Sequence, residues 1–212
     1  MPHKTTAINN RRYLGNKYRL LPFIQRVVSE HCENVNIVAD LFAGTGAVSS
    51  AFQDRQLITN DILYSNYVSN MAWFSPMPYD EEKIIRMVEE YNLLTVAEDN
   101  YMSNTFADTF FSREDCRKIG YIREDIENEY CANHINEREH ALLITSLLYA
   151  MDKIAKTCGH YDAYRKGVEF DTHLELYVPT ASLKNNPNNL CYNEDINQSL
   201  LNILKQENLI FN

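Results

Sequence analysis

Closely spaced cysteine pairs and long apolar runs are missing from this chain, and each absence excludes a class of protein. The five cysteines are odd in number and widely scattered, which argues against a disulfide framework and against a Cys-x-x-Cys metal site. No run approaches the roughly 18 apolar residues of a membrane span, and the first residues are too polar for a signal peptide. The motifs of zinc proteases and nucleophile-elbow hydrolases are missing too. We therefore expect a soluble, cytoplasmic protein without a metal site.

The chain also lacks the net positive charge that favours binding to nucleic acid. Its formal net charge is −9, whereas affinity for duplex DNA comes largely from Lys and Arg. The charges are unevenly distributed, because residues 1–29 contain basic but no acidic side chains and residues 80–139 are rich in Glu and Asp. Either the basic N-terminal arm contacts a phosphate backbone, or it is merely solvated.

The most informative segment that is present covers residues 40–46, with the sequence Asp-Leu-Phe-Ala-Gly-Thr-Gly. It follows a short apolar run, residues 37–39, and precedes residues 47–52, which can start a helix. A strand that enters a glycine turn and then a helix leaves backbone N–H groups facing a gap that suits a nucleotide-like ligand. A side chain at Gly44 or Gly46 would block close approach of that ligand. The alternative is a turn that simply needs positive φ.

The surroundings of this segment favour the nucleotide site. Upstream, residues 12–17 read Arg-Tyr-Leu-Gly-Asn-Lys, and downstream residues 56–60 read as a second strand that ends at Asp61. Asp61 follows the glycines at the distance from which an acidic residue reaches ribose hydroxyls in βαβ units. A Rossmann-like oxidoreductase is disfavoured because the loop lacks the third glycine of the dinucleotide fingerprint.

Together these motifs resemble the Dam-like, alpha-group DNA adenine-N6 methyltransferases. The resemblance rests on Tyr-x-Gly-x-Lys, Asp-Leu-Phe-Ala-Gly-Thr-Gly and Asn-Asp in this order, and it extends over the whole chain through residues 141–166 and 192–195. It implies an α/β, Rossmann-like S-adenosylmethionine-dependent methyltransferase fold with an incomplete sheet and a mainly helical insert. It also implies S-adenosylmethionine as cofactor, duplex DNA as partner, and site-specific adenine methylation in a restriction–modification system.

The resemblance further implies which residues bind the cofactor. Asp61 would hold the ribose hydroxyls, Ile62 would touch the adenine ring, and Asp195 with Ile196 would meet the amino edge of the adenine. Residues 42–46 would wrap the methionine part, and the N-terminal motif would close the other side. The implied cofactor residues are Tyr13, Gly15, Lys17, Asp40, Phe42, Ala43, Gly44, Thr45, Gly46, Asp61, Ile62, Asp195 and Ile196.

A second group of residues has the composition of a DNA-facing surface. Residues 159–166 follow a predicted buried helix and combine polar, aromatic and basic types, and residues 98–138 interleave aromatics with Arg and Lys. The aromatics of residues 98–138 either contact bases or form helix core. The nucleic-acid-binding residues that we expect are Arg11, Arg12, Tyr161, Tyr164, Arg165 and Lys166.

The catalytic Asp-Pro-Pro-Tyr motif of the family is not found in the 212 residues. The nearest match, residues 75–79, precedes a helix and reads as a turn, so we assign no catalytic residue. We expect the chain to stop just before the catalytic loop. It would then be half of a split enzyme whose second chain supplies the motif, a fragment or decayed copy, or a homodimer joined through its open sheet edge. The alternative function is a non-catalytic module that binds cofactor or nucleic acid.

The predicted architecture has three segments. Residues 1–75 hold the N-terminal cofactor motifs and the first two strands, residues 76–168 form a helical candidate target-recognition insert, and residues 169–212 return to the sheet. Predicted strands cover residues 36–41, 56–60, 174–178 and 190–192, and predicted helices cover residues 18–28, 64–74, a segment from 79 onwards, 137–156 and 196–205. Asp40, Asp61 and Asp195 each close a strand, so we expect them to converge on one crevice.

Overall fold

The computed structural model describes residues 3–8, 17–157, 161, 163–165, 167 and 169–197. Its contacts divide the chain into two compact units. We call residues 16–76 and 182–212 the sheet unit, and residues 1–15 and 77–181 the helical unit. The predicted functional roles of the segments 1–75, 76–168 and 169–212 stay predictions.

Most of the predicted strands and helices are present, and the structure adds helices within residues 98–138, where the sequence pattern defines no bounds. The strands are β1 (Thr5–Thr6), β2 (Ile37–Asp40), β3 (Gln56–Asn60), β4 (Val178–Pro179) and β5 (Leu190–Tyr192). The helices are α1 (Leu21–His31), α2 (Tyr64–Phe74), α3 (Glu81–Leu93), α4 (Tyr101–Phe106), α5 (Arg113–Cys131) and α6 (Glu137–Ile154). Residues 47–52 contribute only a short 3₁₀ turn, Ser49–Phe52, in place of a longer helix. In the described part of the chain, every helix is too short or too polar to span a lipid bilayer.

The sheet unit is built on three parallel strands in the order β2-β3-β5. Helix α2 packs against β3 and β5 and is buried from Val68 to Phe74, and Leu57 and Ile58 of β3 are buried as well. Helix α1 contributes little to the core, because none of its residues is buried. The core of this unit therefore lies between α2 and the middle strand.

The helical unit contains α3 to α6, and each of these helices begins at a polar cap. The caps are Asp80, Asn100, Ser112 and Asn136, whose side chains accept hydrogen bonds from backbone N–H groups of the first turn. Buried isoleucines of α5 and leucines of α6 form the centre of the core. The prediction that residues 137–156 form a buried helix is confirmed, with the helix ending at Ile154.

The predicted strand over residues 174–178 is largely wrong. Only Val178 and Pro179 pair, with Thr5 and Thr6 of β1, which the sequence did not indicate. Upstream, side chains replace the strand ladder: the N–H of Leu174 donates to Asp115 Oδ1 (2.8 Å), and the N–H of Leu176 donates to Asn92 Oδ1 (2.8 Å). Apolar residues alone could not distinguish this arrangement from a paired strand.

Replacing Gly120 with Ala should destabilise the helical unit, although alanine normally favours a helix by about 0.5–1 kcal/mol over glycine. A Cβ at this position of α5 would lie 2.3 Å from Oδ1 and 2.5 Å from Cγ of Asn100. Asn100 caps α4 and also donates to the carbonyl of Arg117 (2.7 Å). We expect Gly120→Ala to lower the free energy of unfolding in urea by about 1–3 kcal/mol.

The matched control for this substitution is Glu124→Ala, at an exposed position of the same helix. It should change the unfolding free energy by less than about 0.5 kcal/mol. A gain in stability for Gly120→Ala would contradict the packing described between α4 and α5.

Candidate functional site

Three predicted carboxylates lie at one edge of the sheet unit. Asp40 is the last residue of β2, Asp61 follows β3 directly, and Asp195 lies three residues after β5. The three strands run parallel, with Asp40 opposite Thr59 and Asn60 opposite Tyr192. Their carboxyl ends therefore meet at the edge where open α/β sheets bind ligands.

The glycine turn after β2 requires glycine for reasons of backbone and packing. Gly44 and Gly46 have φ values of +55° and +78°, in the left-handed region that favours glycine. A Cβ on Gly46 would lie 2.8 Å from both Asn70 Oδ1 and Phe74 Cε2 of helix α2. The sequence interpretation ascribed both glycines to ligand approach, whereas Gly46 is needed first for contact between the turn and α2.

Asp61 clamps this turn to the segment after β3. Its Oδ2 accepts the backbone N–H of Gly44 (2.8 Å), and its Oδ1 accepts that of Leu63 (2.9 Å). The residue is only 8% exposed. Because each carboxylate oxygen carries a further lone pair, the predicted contact with ribose hydroxyls remains compatible with these bonds and stays a prediction.

Asp40 lies beside Asp61 in a partly buried position. Burial raises the pKa of the Asp40 carboxyl above its ordinary value, and the negative charge of Asp61 adds to this effect. Hydrogen bonds from the Ser49 hydroxyl (2.9 Å) and from the backbone N–H groups of Ser49 and Phe42 act in the opposite direction. The edge thus concentrates negative charge next to the glycine turn.

Large apolar side chains are exposed beside these buried acids. Phe42 is 78% exposed and Ile62 is 64% exposed, at the second position after β2 and after β3, respectively. The side chains of Ala43 and Thr45, in contrast, are buried, so within the predicted loop these two residues present backbone rather than side chain. The arrangement offers apolar surface and hydrogen-bond acceptors at the same edge.

Asp195 caps the chain that follows β5. Its Oδ1 accepts hydrogen bonds from the backbone N–H (2.9 Å) and the side-chain Nδ2 (3.1 Å) of Asn197. Ile196 and Asn197 have helical backbone, and the rest of the predicted helix 196–205 lies outside the described residues. The predicted contact of Asp195 with an adenine amino group therefore stays a prediction.

Three asparagines at this edge were missed by the sequence interpretation. The side chain of Asn60 bonds to the segments that follow β2 and β5. The side chain of Asn193 donates to the carbonyls of Asp61 (2.7 Å) and Ile62 (3.1 Å). The side chain of Asn70 donates to the carbonyl of Gly44 (3.1 Å). Asparagine is uncommon inside strands, so Asn60 at the end of β3 was the one available signal.

The N-terminal members of the predicted site are only partly covered by the structure. Lys17 is exposed and precedes the 3₁₀ turn before α1. Tyr13, Gly15, Arg11 and Arg12 lie outside the described residues, so their predicted contacts with cofactor and DNA stay predictions.

The predicted DNA-facing loop belongs to the helical unit and includes an aromatic cluster. Tyr161 and Tyr164 are part-exposed, and both rings pack on Phe110, with centroids 5.6 Å and 5.9 Å away. Arg165 is exposed, and Lys166 lies outside the described residues. The rings of Tyr161 and Tyr164 thus pack against Phe110 and are also accessible to solvent. Their predicted contact with nucleic acid stays a prediction.

Comparison with known proteins gives one family. The profile of the D12 class N6 adenine-specific DNA methyltransferases matches residues 13–211. The modification methylase LlaI of Lactococcus lactis subsp. lactis is 29% identical over 206 residues, which cover 88% of this chain and 33% of the relative. The type II methyltransferase M.FokI of Planomicrobium okeanokoites is 30% identical over 203 residues, 88% of this chain and 31% of the relative.

A shorter relative aligns over more of its own length. The type II methyltransferase M.NlaIII of Neisseria lactamica is 26% identical over 205 residues, 90% of this chain and 60% of the relative. The chain thus spans about a third of LlaI and M.FokI and three-fifths of M.NlaIII. No solved structure matches the chain.

The raised pKa of Asp40 predicts a pH-dependent effect of the substitution Asp40→Asn. The folded protein binds a proton at Asp40 more tightly than the unfolded chain does, so the stability that this carboxyl contributes to wild type is lost as the pH rises through the raised pKa. The asparagine side chain does not titrate. We expect the unfolding free energy of Asp40→Asn minus that of wild type to increase between about pH 4 and about pH 7.

Urea titrations over this pH range measure the difference, and Asp54→Asn is the control. The Asp54 side chain is 77% exposed in the same unit, so its substitution should give a flat difference. A flat or falling difference for Asp40→Asn would contradict the described environment of this carboxyl.

Proposed function

Because the chain belongs to the D12 class N6 adenine-specific DNA methyltransferases, we propose that it forms the S-adenosylmethionine-binding part of a site-specific modification enzyme. Such an enzyme transfers a methyl group from S-adenosylmethionine to the N6 atom of adenine in duplex DNA, here in a restriction–modification system. We further propose that β2, β3 and β5 are part of a Rossmann-like methyltransferase sheet, with the helical unit contributing target recognition.

The observation that carries this proposal is the combination of exposed apolar side chains and buried acceptors at one sheet edge. An adenosine group has apolar faces that suit Phe42 and Ile62 and hydroxyl donors that suit the carboxylate of Asp61. Asn70 adds a buried Oδ1 next to Gly46 that has no hydrogen-bond partner among the described residues. The residues present therefore fit the cofactor.

The proposed roles follow the family resemblance. Asp61 accepts from the ribose hydroxyls, Ile62 covers the adenine ring, and Asp195 with Ile196 meets the amino edge of the adenine. Residues 42–46 surround the methionine part, with Tyr13 and Lys17 on the other side. The cofactor supplies a methyl group on a positively charged sulfur, which the nearby acidic side chains Asp40 and Asp61 favour electrostatically.

DNA contacts are proposed for the basic N-terminal segment and for the loop of the helical unit. Arg11, Arg12, Arg165 and Lys166 would contact phosphates, and Tyr161 and Tyr164 would present aromatic surface.

Substitution of Ile62 tests the cofactor site without disturbing the core. Since this side chain is 64% exposed, Ile62→Ala should hardly change stability but should remove apolar contact with the adenine ring. We expect the Kd for S-adenosylmethionine, measured by isothermal titration calorimetry, to rise by about tenfold, which corresponds to about 1.4 kcal/mol.

The control is Leu93→Ala, because Leu93 is 85% exposed in the helical unit and should leave the Kd unchanged. Equal affinities for wild type and Ile62→Ala would remove Ile62 from the site. A wild-type chain that binds no S-adenosylmethionine would overturn the cofactor proposal itself.

The methylation proposal is tested in a host that lacks adenine methylation. Co-expression of the protein with a second chain that bears Asp-Pro-Pro-Tyr should place N6-methyladenine at one short DNA sequence, which sequencing of the host DNA detects. Cofactor binding without N6-methyladenine in the co-expressing host would instead favour the non-catalytic binding module.

A further inference from the structure

Asn60 uses its whole side-chain amide to join two strand ends. Its Nδ2 donates to the carbonyls of Leu41 (3.2 Å) and Glu194 (3.1 Å), and its Oδ1 accepts the N–H of Glu194 (3.0 Å). The residue is 2% exposed. Both amide hydrogens and the carbonyl oxygen are thus engaged, and all three bonds reach to segments outside β3.

The two segments that Asn60 joins are those that carry the proposed cofactor residues. Leu41 immediately precedes residues 42–46, and Glu194 immediately precedes Asp195. The backbone carbonyl of Asn60 also accepts the N–H of Ala43 (3.0 Å). In return, Asn193 from the segment after β5 donates to the carbonyls of Asp61 and Ile62.

We propose that Asn60 is a positioning residue for cofactor binding: its buried amide sets the spacing of the glycine turn after β2 and the acidic segment after β5. This inference rests on the proposed function, and it assigns Asn60 no contact with the cofactor. The amide holds Phe42, Asp61 and Asp195 at fixed separations before any ligand is bound. Fixed separations reduce the ordering cost of binding.

Other side chains of similar size cannot make this set of bonds. Aspartate has no donor for the two carbonyl oxygens and would place a negative charge against them, and glutamine is one methylene longer. A buried polar group that loses its partner is costly to the folded state. We therefore expect Asn60→Asp to remove the hydrogen bonds that join the two loops while the size of the residue stays nearly constant.

The experiment compares Asn60→Asp with the matched substitution Asn189→Asp. Asn189 directly precedes β5 and bonds to the amino end of β3, whereas Asn60 lies at the carboxyl end of β3. Asn189 is also buried, accepts the N–H of Leu57 (2.7 Å) and donates to the carbonyl of Phe74 (2.9 Å). Both variants lose a side-chain donor to a carbonyl, but Asn189 touches neither of the loops that Asn60 joins. Both are titrated with S-adenosylmethionine by calorimetry and unfolded in urea.

We expect Asn60→Asp to raise the Kd at least about tenfold and Asn189→Asp to change it less than about twofold, at similar losses of stability. A structural readout accompanies the binding data, because the chain has six glycines and ¹⁵N-glycine labelling gives a simple spectrum. The amide signals of Gly44 and Gly46 should shift in Asn60→Asp, and that of Gly120 in the helical unit should not.

Wild-type affinity in Asn60→Asp, or equal weakening in both variants, would overturn the inference while leaving the cofactor proposal intact. Unshifted Gly44 and Gly46 signals in Asn60→Asp would overturn it as well. Absence of binding by wild type would overturn the proposed function and this inference together. If Asn60→Asp does not fold, Asn60→Ala removes the same bonds without adding charge, and the same outcomes decide.

Discussion

Strand β3 pairs with β2 on one side and with β5 on the other. This pairing requires hydrogen-bond partners for the backbone N–H and C=O groups that lie just beyond the paired residues. Buried N–H and C=O groups need partners, and short parallel strands leave several of them at each end. At the carboxyl end of β3 the side chain of Asn60 supplies these partners, and at the amino end that of Asn189 does so. The bonds of Asn60 act together with the backbone bond from Ala43 N–H to the Asn60 carbonyl (3.0 Å) at the strand ends that carry the acidic residues.

One consequence is that the carboxyl edge reverses the usual distribution of polar and apolar side chains. Asn60 and Asp61 are buried, whereas Phe42 and Ile62 project into solvent. Buried acids and amides are ordinarily rare, and large exposed apolar groups that lie together mark binding surfaces. The buried polar groups shape the loops, whereas Phe42 and Ile62 offer apolar surface to the proposed ligand.

Local patterns in the sequence were sufficient for much of this unit. The strands at residues 56–60 and 190–192 and the helix at 64–74 match their predicted bounds, because short apolar runs between turn residues and a clear helical period define them. The convergence of Asp40, Asp61 and Asp195 followed from parallel strands. The role of Asn60 did not, since its bond to Glu194 spans 134 residues, and no local pattern records such a contact. Likewise, the contact of Gly46 with Phe74 depends on how α2 folds back on the turn.

Asp61 shows why a motif alone gives an incomplete account of a site. The family resemblance assigns it to the ribose, but in the structure its two oxygens first hold the N–H groups of Gly44 and Leu63. The same residue therefore serves folding and proposed binding, and a pattern of residue types cannot separate the two. The two roles support each other physically. A carboxylate already oriented by backbone N–H groups loses little conformational freedom when a ligand arrives, so the bonds that shape the turn also lower the cost of recognition.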